Sequence, residues 1–108
     1  MLPHTVFTVL ALSPITALGP LDGRYEKKVA ALREFFSEYA LIKFRVHVEV
    51  EWLIALSLEP GIAECPPLPA AAISNLRARV MSFSLIDAAR VKAIEATTNH
   101  DEIGRAHV

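Results

Sequence analysis

Between residues 25 and 58 the chain carries no Pro or Gly, and its apolar positions recur at helical spacing. Val29, Leu32, Phe36 and Tyr39 mark one face, with Lys27, Lys28, Arg33 and Glu34 elsewhere. Ser37 predicts a kink or the start of a second segment. Beyond it two periods compete. Val46, Val48, Val50 and Trp52 alternate with His47, Glu49 and Glu51, the period of a half-buried strand. The wider window decides for helix. Leu41, Phe44, Val48, Trp52 and Ala55 share one helical face, while Ile42, Val46, Val50 and Leu53 form a second. Charges also pair at helical spacing, His47 with Glu51 and Arg45 with Glu49. Residues 40–56 as a helix span about 25 Å at ~1.5 Å per residue. Two apolar stripes on one helix predict burial on more than one side, by a partner helix or another subunit.

Glu59-Pro60-Gly61 ends this segment, and Cys65-Pro66-Pro67-Leu68-Pro69 predicts a rigid, extended connection. Pro69 or Ala70 opens the next helix, whose stripe is Ile73, Leu76, Val80 and Phe83, with Arg77 and Arg79 off it. Ser84 followed by Asp87 reads as a capping box and starts another helix. Its expected apolar face is Ile86, Ala89, Ala93 and Ile94, leaving Asp87, Arg90, Lys92 and Glu95 in solvent. No internal repeat or low-complexity tract appears. The pattern is all-α.

Residues 1–19 are mostly small and apolar. Val6 to Leu12 has the character of a signal-peptide core, but no Lys or Arg precedes Arg24. Pro14 interrupts the run, so a membrane span of about 20 apolar residues is not available. A loosely ordered leader is expected there, followed by one helical domain over 20–101. At 108 residues the chain has room for one domain with a modest core. A net charge of -1 provides no footprint for nucleic acid or an anionic membrane. The single cysteine, Cys65, has no partner for an internal disulfide or a metal pair, which favours a reduced bystander thiol and a reducing compartment.

Two short stretches carry candidate chemistry. In Asp22-Gly23-Arg24-Tyr25, Arg24 offers a planar fork suited to phosphate or carboxylate, and Tyr25 adds a hydroxyl on a rigid ring. The alternative is a plain helix start, with Asp22 as cap and Gly23 as a turn residue whose backbone is unusually free. In Asn99-His100-Asp101, an amide, an imidazole and a carboxylate stand on consecutive residues. They converge only if the backbone bends there; otherwise they are polar capping residues. His4, His47 and His107 add no metal-ligand spacing, and no phosphate loop, nucleophile elbow or dinucleotide fingerprint is present.

Together these stretches resemble the amino-terminal part of the adenylosuccinate lyase family, within the fumarase/aspartase superfamily. The likeness runs through Pro20-Leu21-Asp22-Gly23-Arg24-Tyr25, Phe36-Ser37-Glu38-Tyr39, Lys43-Phe44-Arg45-Val46, Val48-Glu49 and Trp52-Leu53. It continues through Phe83-Ser84, Asp87-Ala88, Lys92, Ile94-Glu95 and Thr97 to Asp101. The resemblance implies the amino-terminal helical domain of the L-aspartase-like fold, truncated before the central helical bundle. It implies a cytoplasmic homotetramer that uses neither cofactor nor metal and binds a purine nucleotide. The family eliminates fumarate from adenylosuccinate, giving AMP, and from the succinyl-carboxamide ribotide of purine synthesis. By resemblance Arg24, Tyr25, Asn99, His100 and Asp101 bind substrate, His100 as a positioning residue. The family's proton-transferring His, its mobile-loop Ser and its Ser-rich signature loop would lie beyond this chain, which leaves no catalytic residue here and an inactive fragment. Two other readings stand beside it: a stand-alone helical interaction module without catalysis, and a related lyase with a different amine substrate.

After Asp101 the family pattern breaks off. The residues 102–108 read Glu102-Ile103-Gly104-Arg105-Ala106-His107-Val108. One allowed back-translation, GAG ATC GGA AGA GCA CAC GTC, matches a common short-read library adapter from its second base. The expectation is adapter read-through; the other reading is a divergent natural tail.

Overall fold

A computed structural model of the chain describes residues 9–99. Among them the regular structure is helical, with no strand. The elements in order are α1 (Glu26–Val29), a 3-10 turn (Ala30–Leu32), α2 (Arg33–Phe36), α3 (Glu38–Leu58), α4 (Ala70–Met81) and α5 (Leu85–Thr98). The chain divides into two units, one ending at Arg33 and the other beginning at Glu34.

The uninterrupted run from residue 25 therefore becomes four pieces. Ser37 is extended (φ -78, ψ 167), and its hydroxyl accepts the Ala40 N–H at 3.1 Å, capping α3. The face predicted from Val29 to Tyr39 does not survive as one buried stripe: Leu32 is exposed and Phe36 is 83% exposed. The 3-10 turn and the break at Ser37 change the residues-per-turn count, so a spacing valid for one continuous helix loses register.

The later unit is built on α3. Ala40, Ile42, Val46, Ile54 and Ser57 are buried along it, and the Ser57 hydroxyl is satisfied by the Ile54 carbonyl at 2.7 Å. Helix α4 begins directly after Pro69, whose carbonyl accepts the Ala72 and Ile73 N–H groups. At Ser84 both halves of the capping box form: its hydroxyl accepts the Asp87 N–H at 3.3 Å, and the Asp87 carboxylate accepts the Ser84 N–H at 2.8 Å. The core gathers Ile42, Val46, Val80, Phe83, Ala88 and Val91, with Tyr39, Val50 and Ile94 against it.

The buried side of α5 differs from the expected one. Ile86, Ala89 and Ala93 are exposed, whereas Ala88 and Val91 are buried. The reason lies in the turn before the helix. Tyr39 donates its hydroxyl to the Phe83 carbonyl at 2.9 Å and stacks on the Phe83 ring at 6.2 Å between centroids. Phe83 is thereby held against α3, and the capping box starts α5 immediately after it, so the core side falls on Ala88 and Val91. Lys92 reinforces the arrangement from outside, reaching Glu95 at 2.9 Å and Glu38 of α3 at 3.2 Å. These carboxylates raise its pKa, Glu95 most. Tyr39→Phe leaves the Phe83 carbonyl without this donor and is expected to cost about 1–2 kcal/mol. The check is a lower urea midpoint at unchanged slope.

Sequence spacing pairs Glu51 with His47, but its closest partner is across the helix pair. Arg77 of α4 grips Glu51 of α3 through two bonds, at 3.0 and 3.1 Å. The Arg77 hydrogen bond holds the Glu51 carboxyl below its ordinary range, with smaller help from the charges of Arg77 and His47. The pair is exposed and adds little stability.

Candidate functional site

The stretch around Arg24 begins with turns. The N–H groups of Gly23 and Tyr25 both bond to the Pro20 carbonyl, at 3.3 and 3.0 Å. This closure delays the helix: α1 starts at Glu26, and Tyr25, not Asp22, is the residue before its first turn. The reading of Asp22 as a helix cap is thus corrected. Gly23 is buried and has no positive φ. A Cβ there would stand 2.9 Å from the Pro14 carbonyl oxygen and 3.3 Å from both the Ala17 Cβ and the Gly19 oxygen. Glycine is required at this point by close approach rather than by an unusual backbone angle.

Arg24 and Tyr25 are exposed immediately beyond that contact. They line an open hollow of about 450 Å³ with Pro14, Ala17, Leu18, Gly19 and Pro20. Lys28, in the first turn of α1, places its ammonium 5.8 Å from the centre of the Tyr25 ring. A guanidinium fork, a phenol and a nearby ammonium on a wall of backbone and small side chains suit an anionic ligand. The expected pair is therefore brought together on one surface.

Asn99 belongs to the later unit. It follows α5 in the left-handed conformation (φ 59, ψ 27), and its N–H bonds to the Glu95 carbonyl at 2.7 Å. Asparagine adopts this conformation more readily than most residues, and here it turns the chain out of the helix. Asn99 thus caps the end of α5, as the plain reading of this stretch has it. His100 and Asp101, the other two expected members, lie outside the described residues.

Two features were not singled out as sites in the sequence. Opposite the core, α3 exposes Leu41, Phe44, Val48 and Trp52, the last 60% exposed. Beside that stripe an open groove of about 440 Å³ runs along α3 and α4, with Phe44, Val80 and Met81 as its apolar surface and Lys43, His47, Glu51 and Arg77 at its polar margin. The two-sided pattern of α3 was the signal for the first; the second needs the α3–α4 pairing, which no local spacing encodes.

No family model matches the chain. Curated proteins do. The chain is 58% identical over 92 residues to the adenylosuccinate lyase of Escherichia coli K12 and 53% over 92 residues to that of Haemophilus influenzae. It is 46% identical over 98 residues to the adenylosuccinate lyase of Dictyostelium discoideum. The chain is homologous to the amino-terminal region of adenylosuccinate lyase. The match takes in 85% of this chain for the two bacterial proteins and 87% for the third. It covers 20% of each relative, so the chain spans about a fifth of the length of the curated lyases it matches. With 92 of 108 residues matched, Gly23, Arg24 and Tyr25 fall within the lyase match wherever its ends lie. Among the described residues, no helix is long and apolar enough to cross a membrane.

Proposed function

We propose that the chain is the first part of a carbon–nitrogen lyase that releases fumarate from adenylosuccinate, giving AMP, and from the succinyl-carboxamide ribotide of purine synthesis. The observation that carries this reading is the 58% identity over a span that includes Arg24 and Tyr25. In such an elimination a base removes a proton from the succinyl carbon and the electron pair becomes the double bond of fumarate. The carbon–nitrogen bond breaks and the nitrogen takes up a proton. Nothing in that sequence needs a redox or metal cofactor.

Arg24 and Tyr25 are assigned to the nucleotide end of the substrate, where a fork of donors and a phenol match a phosphate and its sugar. Asn99, His100 and Asp101 are assigned to the substrate pocket of the assembled enzyme, with His100 positioning the substrate. The complete protein is read as a cytoplasmic homotetramer, and the exposed apolar stripe of α3 supports a covered face in the assembly.

Sequencing the source gene from the codon of Thr97 tests the reading. The expected frame continues past Asp101, without the residues now at 102–108, into a long helical protein with a Ser-rich loop and a further His. That full-length product is expected to convert adenylosuccinate, while the 108-residue chain gives no turnover above background. A genomic frame that stops after Val108 removes the lyase reading and leaves the interaction module.

A further inference from the structure

The backing of Arg24 and Tyr25 is itself built by a side chain. Residues 11–17 form a knot centred on Thr16. Its hydroxyl oxygen accepts the Ser13 N–H at 2.8 Å and donates to the Ala11 carbonyl. The Thr16 and Ala17 N–H groups return to the Ser13 carbonyl at 3.1 and 2.9 Å, and the two hydroxyl oxygens of Ser13 and Thr16 lie 3.1 Å apart. One hydroxyl thus ties together both ends of the turn that contains Pro14 and Ala17.

That turn is what Gly23 rests on. The space a Cβ would take at Gly23 is already occupied by the Pro14 carbonyl and the Ala17 methyl group, so the two segments meet with no slack. Arg24 is the next residue, and Pro14 and Ala17 reappear in the wall of its hollow. A shift of the turn therefore passes to Arg24 through backbone contact, with no flexible side chain to absorb it. We propose that Thr16 is a positioning residue: through the Ser13–Ala17 turn and Gly23 it sets where the Arg24 fork and the Tyr25 phenol stand. The proposal rests on the reading that Arg24 and Tyr25 hold the substrate.

Steady-state kinetics with adenylosuccinate on the full-length lyase from the source gene tests it, using Thr16→Val, Thr16→Ser and Arg24→Ala, with thermal melts of each. Thr16→Val keeps shape and removes the hydroxyl's bonds to Ala11 and Ser13. It is expected to raise KM roughly three- to tenfold, the effect of a hydrogen bond of ordinary strength, with kcat and melting temperature close to the parent. Thr16→Ser restores the hydroxyl and is expected to restore KM. If Thr16→Val fails to assemble, Ser13→Ala, which removes part of the same knot, carries the KM comparison. An unchanged KM in Thr16→Val beside a raised KM in Arg24→Ala overturns the proposal and leaves the binding site standing. Equal impairment in the Val and Ser variants also overturns it, since packing and not the hydroxyl would then matter. An unchanged KM in Arg24→Ala removes the binding-site reading and this proposal with it.

Discussion

Val91→Asp is expected to unfold the helical unit of the 108-residue chain, while Ile86→Asp, five residues earlier on the same helix, leaves it folded. Val91 is 0% exposed and belongs to the cluster of Ile42, Val46, Val80, Phe83 and Ala88. A carboxylate there loses its water and finds no cation among those neighbours, and burying it unpaired costs several kcal/mol even after it takes up a proton. A domain of this size has only about 5–15 kcal/mol to lose, and a small core places it toward the lower end. Ile86 is 81% exposed, so a charge at that position stays hydrated and changes stability by roughly 0.5 kcal/mol or less. Circular dichroism of both variants decides the matter. Loss of the helical signal in Ile86→Asp, or its retention in Val91→Asp, would mean that α5 packs through its other side.

The same pair of residues shows how far the sequence could be read. The existence of α5 and its first residue were legible, because a capping box is a local signal between positions three apart. Which side it buries was not. Helical periodicity on α5 offers two overlapping apolar sets, and the choice is made by Tyr39, 44 residues from Phe83, through one hydroxyl and one ring contact. On α3 both stripes were legible, and the structure buries Ile42 and Val46 of one and leaves the other exposed. At the far end, however, Leu53 is exposed and Ile54, in neither stripe, is the buried residue. The break at Ser37 was visible as a candidate kink; its consequence for the preceding face was not, since a 3-10 turn of three residues is too short to show its period in the sequence.

At the candidate site, Arg24 and Tyr25 could be chosen by their chemistry and by resemblance. The reason for the glycine before them could not. Conformational freedom was the natural guess for Gly23, yet the cause is contact with Pro14 and Ala17, which stand nine and six residues away. Thr16 was invisible for the same reason. Its hydroxyl acts on Ala11 and Ser13, and only the folded turn connects it to Arg24.

Arg24→Ala in the full-length lyase is expected to raise KM for adenylosuccinate about ten- to a hundredfold, with a much smaller change in kcat. The magnitude follows from removing hydrogen bonds to a charged group, worth ~1.5–3 kcal/mol. The split follows from the role proposed for Arg24: a residue that grips the nucleotide end would act alike on substrate and transition state, since that end does not change as the carbon–nitrogen bond breaks. Arg24→Lys keeps the charge and loses the planar fork, so its KM should fall between parent and Ala variant. Raising the salt concentration should weaken binding by the parent more than by the Ala variant, because the hollow is open to solvent and the attraction is screened. The sharpest comparison uses the dephosphorylated substrate. If Arg24 meets the phosphate, parent and Ala variant bind the nucleoside form equally, and the two losses do not add. If the losses add in full, Arg24 acts elsewhere on the substrate, and the hollow it shares with Tyr25 holds some other anionic group.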